Sequence, residues 1–295
     1  MEPSMPYSEV TVSFGEKQKE VEKSLQKTYK KALFTPFAKA ITEYEMIKPG
    51  DKIAVCISGG KDSMLMAKLF QEIKHHNKFP FEVEFLAMDP GYNKENRELI
   101  EYNARILGIP LKIFETTIFD MVYEVDKSPC YLCARMRRGN LYTMAEQLGC
   151  NKIALGHHYD DVIETILMSM LYGGQMQTMM PKLHSTNFEG MELIRPLYRV
   201  READIIRWSK FHGLRFLQCA CRFTESHADI KEDGTSDSKR MEIKQMIKNM
   251  KEYNPFVESN IFKSMYNINL STVIEYKDKK GVKHNFLEDY DCDMN

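Results

Sequence analysis

Three groups of residues in this chain have the types and spacing for chemistry. The first is Ser58-Gly59-Gly60-Lys61-Asp62-Ser63, entered from the apolar run Ile53–Ile57 and followed by Leu65 and Leu69 at helical spacing. A buried strand, a Gly-Gly turn and a helix start bring several backbone N–H groups together beside the positive end of a helix dipole. That combination cradles phosphate oxygens. Lys61 adds a full positive charge, and Ser58 and Ser63 add hydroxyl donors. The spacing is not that of a Walker A loop, which needs four residues between its first glycine and its Gly-Lys pair.

The second group is Gly156-His157-His158-Tyr159-Asp160-Asp161-Val162-Ile163-Glu164-Thr165, entered from Lys152–Leu155. Asp161 and Glu164 are three apart and share a helix face. Carboxylates beside a triphosphate suit a Mg²⁺ ion that neutralises a pyrophosphate leaving group. Acids at a helix start are equally explained as caps.

The third group is cysteine. Cys130 and Cys133 form a Cys-x-x-Cys at a helix start, where the dipole favours thiolate. Cys219 lies 86 residues beyond Cys133, with Cys221 two further. Three thiolates fall short of the closed four-ligand zinc site, but they can hold a [4Fe–4S] cluster that keeps one iron open. A redox dithiol, or zinc completed by Cys221 or His227, stands beside that reading. Taken alone, Cys-x-x-Cys ranks zinc first, cluster second and dithiol third.

These groups need elements to hold them. Val21, Leu25, Tyr29, Leu33 and Phe37 repeat at four and predict a helix from Glu16 to about Glu45, kinked or divided at Pro36. From Glu16 to Lys39 seven lysines face three glutamates, a net +4 that reads as a solvated face or an RNA-facing one. Pro49-Gly50-Asp51 punctuates entry into the first strand, and Phe81–Met88 is a second strand ending at Asp89. Asp89 is placed either to meet a ribose or adenine or to make a turn. A helix over Glu95–Leu107, a strand over Leu111–Phe114, a helix from the cysteines to Leu148 and a strand over Lys152–Leu155 follow. This βαβαβ cadence predicts an α/β fold with a doubly wound parallel sheet and its ligand at the C-terminal strand edge. Beyond it come a last short strand at Ile194–Leu197, helices over Glu202–His212 and Met241–Tyr253, a polar loop over Ser226–Arg240 and an acidic tail. The expected division is a helical arm over 1–48, an ATP-binding core over 49–200 and an extension over 201–295 carrying Cys219.

Bulk properties exclude little and fit this picture. With 295 residues, 43% apolar and 28% charged, the chain is long enough for one large domain with additions. A net charge of −1 neither favours nor excludes a polyanion, which feels local patches. No apolar run is long enough for a membrane span, residues 1–15 do not read as a signal peptide, and seven cysteines fit thiols in a reducing cytoplasm.

Ser-Gly-Gly-Lys-Asp-Ser in its strand–turn–helix setting resembles the PP-loop of the ATP pyrophosphatase superfamily, a Rossmann-like (HUP) fold. Gly-His-His-x-Asp-Asp-x-x-Glu-Thr resembles its tRNA-modifying branch, which includes the 2-thiocytidine and lysidine synthetases. Pro129-Cys130-x-x-Cys133 with Phe216-Leu217-x-Cys219 resembles the 2-thiocytidine layout, from about Glu43 to Cys221. The resemblance implies an ATP-dependent tRNA sulfurtransferase that adenylates C2 of cytidine 32 and inserts sulfur through a [4Fe–4S] cluster. It implies cluster ligands Cys130, Cys133 and Cys219, and catalytic Lys61, Asp62 and Asp161. ATP and Mg²⁺ would meet Ser58, Gly59, Gly60, Lys61, Asp62, Ser63, Asp89, Gly156, His157, Asp161 and Glu164. Expected partners are tRNA, a cysteine-desulfurase-type sulfur donor and, as an option, a second copy in a homodimer, with no membrane. Cys219 and Cys221 compete for the third ligand position. Arg135, Arg137, Arg138 and Arg195 are candidates for RNA phosphate contacts or plain exposed arginines. The alternatives are a PP-loop thiolase for another base or small acceptor, and a non-catalytic nucleotide- and metal-binding sulfur-relay or regulatory protein.

Overall fold

A computed structural model describes residues 14–76, 79–119, 129–217, 239–288 and 290. Cys219, Cys221, His227 and most of the polar loop expected over Ser226–Arg240 lie outside these; Lys239 and Arg240 open a helix. Two compact units are present, 1–162 with 180–235 and 163–179 with 236–295.

The first unit is built on a six-stranded sheet of β1 (Lys52–Ile57), β2 (Glu82–Asp89), β3 (Leu111–Glu115), β4 (Lys152–Ala154), β5 (Lys182–His184) and β6 (Glu192–Ile194). The strand order is β3-β2-β1-β4-β6-β5, parallel throughout except for the β5 edge. β5 was not foreseen, because three partly exposed residues carry no alternation signal. The strand expected at Ile194–Leu197 instead ends at Ile194. Pro196 has no N–H to extend a ladder, and the chain turns there through Tyr198 N–H to Arg195 O.

Buried strands take helices on both faces. Ala54 and Cys56 of β1 pack with Tyr142 and Ala145 of α5 (Pro129–Gln147). Ile53, Val55 and Ile57 point the opposite way, toward the layer containing α1 (Phe14–Gln26), α3 (Lys61–His75) and α4 (Lys94–Leu107). A π-helical turn at Lys30–Phe34 separates α1 from α2 (Thr35–Glu43), and Pro36 sits in the first turn of α2, where its missing N–H costs nothing. The arm is tied down by burial: Lys68 of α3 reaches Glu22 of α1 at 3.0 Å and Leu107 O at 2.8 Å. α7 (Glu202–Phe211) completes this layer.

The second unit contains α6 (Tyr159–Gly173) from Ile163 onward, α8 (Lys239–Tyr253), α9 (Val257–Ser264) and an antiparallel hairpin of β7 (Glu275–Lys277) and β8 (Lys283–Asn285). No described helix is long and apolar enough to cross a membrane.

Candidate active site

β1 and β4 are neighbours at the point where the strand order reverses, so the loops that follow them open side by side. After β1, Ser63 Oγ accepts from Ser58 N–H at 3.1 Å, lies 3.2 Å from Ser58 Oγ, and donates to Gly60 O at 3.0 Å. This small knot shapes the loop and leaves the first N–H groups of α3, those an α-helix cannot satisfy internally, at its mouth. Gly59 has φ +84°, and a Cβ there would sit 2.7 Å from Ile100 Cγ1 and 2.8 Å from Leu217 Cδ1. Gly59→Ala is therefore expected to cost about 1–3 kcal/mol, read as a lower urea midpoint with an unchanged slope. Gly156 begins the second motif against α3 itself: a Cβ would approach Ser63 N to 3.2 Å and Ser63 Cα to 3.3 Å. A side chain here would require the two motifs to give by a few tenths of an ångström.

Between them lies a cluster of charges. Lys61 Nζ is 3.2 Å from Asp62 Oδ2 and 3.0 Å from Glu202 Oε1. Buried His158 sits among four acids, 3.4 Å from Asp161 Oδ2 and 3.9 Å from Asp62, Asp160 and Glu202. Its N–H donates to Asp161 Oδ2 at 3.0 Å, fixing the start of α6. Arg201 grips Asp160 through Nε and Nη2, and Glu202 N–H donates to Asp160 at 2.7 Å. Burial disfavours the Lys61 cation, but Asp62 and Glu202 outweigh it and hold its pKa above the ordinary value. Burial raises the Asp62 carboxyl despite His158 and Lys61, with Asp161 adding repulsion. Asp62 Oδ1 is buried with no hydrogen-bond donor among the described residues. Four carboxylates thus gather around Lys61, Arg201 and His158. Asp62, with its orphaned oxygen, and Asp161 offer the hard oxygen donors that Mg²⁺ takes, and the remaining ligands would have to come from phosphate and water.

The other expected residues have different surroundings. Asp89 is buried at the end of β2, with Oδ1 accepting from Gly91 and Tyr92 N–H and Oδ2 from Arg97 at 2.7 Å. Burial raises this carboxyl, and those donors more than reverse it to hold it low. The turn thus occupies Oδ1, and Arg97 of α4 occupies Oδ2. Glu164, one turn beyond Asp161, belongs to the second unit, where Arg240 holds its carboxylate at 2.9 Å and Lys244 lies at 3.7 Å. His157 is half-buried; His158 is the histidine among the acids. Glu202, Arg201 and His158 were not singled out from sequence. Glu202 and Arg201 carried only the weak signal of charge at a helix start.

Cys130 and Cys133 lie in the first turns of α5. Leu132, between them, packs against Met88 and Ile118, so this helix start stands at the C-terminal end of β2, on the same edge as the phosphate loop. Leu217, two residues before Cys219, donates its N–H to Gly59 O at 3.2 Å. Two other cysteines are unsuited to ligation: burial pushes the Cys56 thiol up to about 12 and Cys150 up to about 11. No group of three metal-binding side chains occurs among the described residues.

A family model for the PP-loop domain matches residues 18–222. The tRNA-cytidine(32) 2-sulfurtransferase of Citrifermentans bemidjiense is 34% identical over 234 residues, 78% of this chain and 88% of that protein. That of Alcanivorax borkumensis is 37% identical over 236 residues, 78% of each. The U34-tRNA thiolase NcsA of Methanococcus maripaludis, solved with its [4Fe–4S] cluster, superposes with a TM-score of 0.57 at 20% identity, covering 86% of this chain and 79% of that one. That last likeness concerns the fold.

Proposed function

Because the chain belongs to the PP-loop family and, within it, to the tRNA-cytidine(32) 2-sulfurtransferases, we propose that it adenylates C2 of cytidine 32 in tRNA and replaces that oxygen with sulfur. ATP would lay its phosphates on Ser58–Ser63 with Lys61 on the leaving pyrophosphate, and Asp62 and Asp161 would hold a Mg²⁺ that neutralises the pyrophosphate's charge. The C2 oxygen attacks the α-phosphorus, the bond to the β-phosphate breaks, and an unreactive urea-like oxygen becomes part of a leaving group, AMP. The protein's contribution is positioning and charge neutralisation. Cys130, Cys133 and Cys219 would hold a [4Fe–4S] cluster, which when bound would deliver the sulfur that replaces the C2 oxygen.

The observation that carries this reading is the hydrogen bond from Leu217 to Gly59. A phosphate loop bonded to Leu217, two positions before Cys219 in the sequence, with Cys-x-x-Cys opening a helix on the same sheet edge, suits a thiolase better than a simple ATP-binding module. The sulfur donor would be of the cysteine-desulfurase type.

Nucleoside analysis of tRNA from a strain lacking this chain tests the proposal. Loss of 2-thiocytidine with other thiolated bases unchanged is expected. Persistence of 2-thiocytidine would remove the reading, and loss of a different thiolated base would move the substrate.

A further inference from the structure

Five half-buried or buried cations in the first unit each have a carboxylate within 4 Å. Lys68 has Glu22 at 3.0 Å, Lys152 has Glu192 at 2.6 Å, Arg97 has Asp89 at 2.7 Å, Arg199 has Glu43 at 2.8 Å and Arg201 has Asp160 at 2.9 Å. Arg195 differs from these five. No carboxylate lies within 4 Å of it among the described residues, Met180 O takes one Nη1 hydrogen, and Nε is buried without an acceptor. Burial pushes its guanidinium down to about 10, with Tyr198 opposing and Arg138 adding like-charge repulsion. An uncompensated, dehydrated guanidinium beside a second one is costly unless an anion completes it.

Its position says which anion. Arg195 follows β6 directly, and Leu193, two residues earlier, packs into the cluster formed with Tyr142 and Ala145 of α5. Side-chain alternation therefore puts Arg195 on the α5 side of the sheet. Arg138 lies on α5 five residues after Cys133, about 7.5 Å along the helix. β6 is two strands from β1, so the site stands about 10 Å along the edge from the phosphate loop.

We propose that Arg195 and Arg138 form a phosphate subsite for the backbone of the RNA substrate, on the cysteine-helix side of the sheet edge. It rests on the tRNA reading above. The planar guanidinium fork suits a phosphodiester's two oxygens, and a nucleotide flanking the target base would be anchored there.

The test is tRNA binding by the full chain over a salt series, for wild type, Arg195→Gln and Arg138→Gln. Each variant is expected to bind bulk tRNA about tenfold or more weakly, with a salt slope lower by about one, and to keep wild-type ATP affinity. Arg195→Gln should also melt no lower than wild type, an outcome that a purely structural arginine would not give. Arg138 is exposed, so its variant tests the site even where Arg195→Gln folds poorly. Unchanged affinity and slope in both variants overturn the proposal. So does protection of wild type, but not Arg195→Gln, by inorganic phosphate or AMP with tRNA binding unchanged, which assigns the site to a free phosphate. A wild-type chain that binds ATP but no tRNA removes the functional reading along with this one.

Discussion

Lys61→Ala is expected to lower ATP-dependent base activation by about a hundredfold or more, the scale of losing one preorganised charge stabiliser. The effect should be large because Lys61 is already aimed: Asp62 and Glu202 hold its ammonium within 3.2 Å at the mouth of the phosphate loop. Those same acids hold its pKa above the ordinary lysine value, so it stays charged across neutral and moderately alkaline pH. Removal also takes away the ammonium that offsets Asp62 and Glu202 as a triphosphate arrives. Lys61→Arg, which keeps the charge, should recover part of the rate. Pyrophosphate release with tRNA and ATP measures the step, and the cluster's visible absorbance should be unchanged. Full activity in Lys61→Ala would remove the loop from the mechanism.

The second large effect is on sulfur. Cys130→Ala, Cys133→Ala and Cys219→Ala are each expected to abolish 2-thiocytidine formation and lower bound iron, while ATP-dependent pyrophosphate release persists. Cys221→Ala should keep both iron and product. The contrast rests on thiol chemistry as well as spacing. Cys56 and Cys150 are held protonated by burial, so neither can substitute for a missing thiolate ligand. Iron content and product that survive Cys219→Ala but not Cys221→Ala would exchange their roles. Zinc in place of iron in the anaerobically purified protein would remove the cluster.

Much of the sheet was legible because its signals are local. An apolar strand, a Gly-Gly turn and a helix period lie within eighteen consecutive residues from Ile53 to Phe70. Three-residue β5 and the β7–β8 hairpin were not, since exposed short strands lack a buried face to impose alternation. The strand after Glu192 was found but shifted, because Pro196 reads as a neighbour of apolar residues until its missing N–H is counted.

By itself the sequence determined the chemistry on offer: a phosphate cradle, a carboxylate-rich helix start and thiols whose spacing left zinc, an iron–sulfur cluster and a dithiol open until the family resemblance was counted. Only the tertiary structure decided which of these residues meet. It paired Lys61 with Glu202 across 141 positions, put His158 among the acids, and gave Glu164 to Arg240. It also left Arg195 without a carboxylate among the described residues, a fact that no local pattern encodes. The reason is physical. Strand, turn and helix follow from neighbours within a few residues, whereas partners in a charge network are chosen by sheet order and close approach. Here that approach depends on Gly156, with no side chain, lying against the backbone of Ser63.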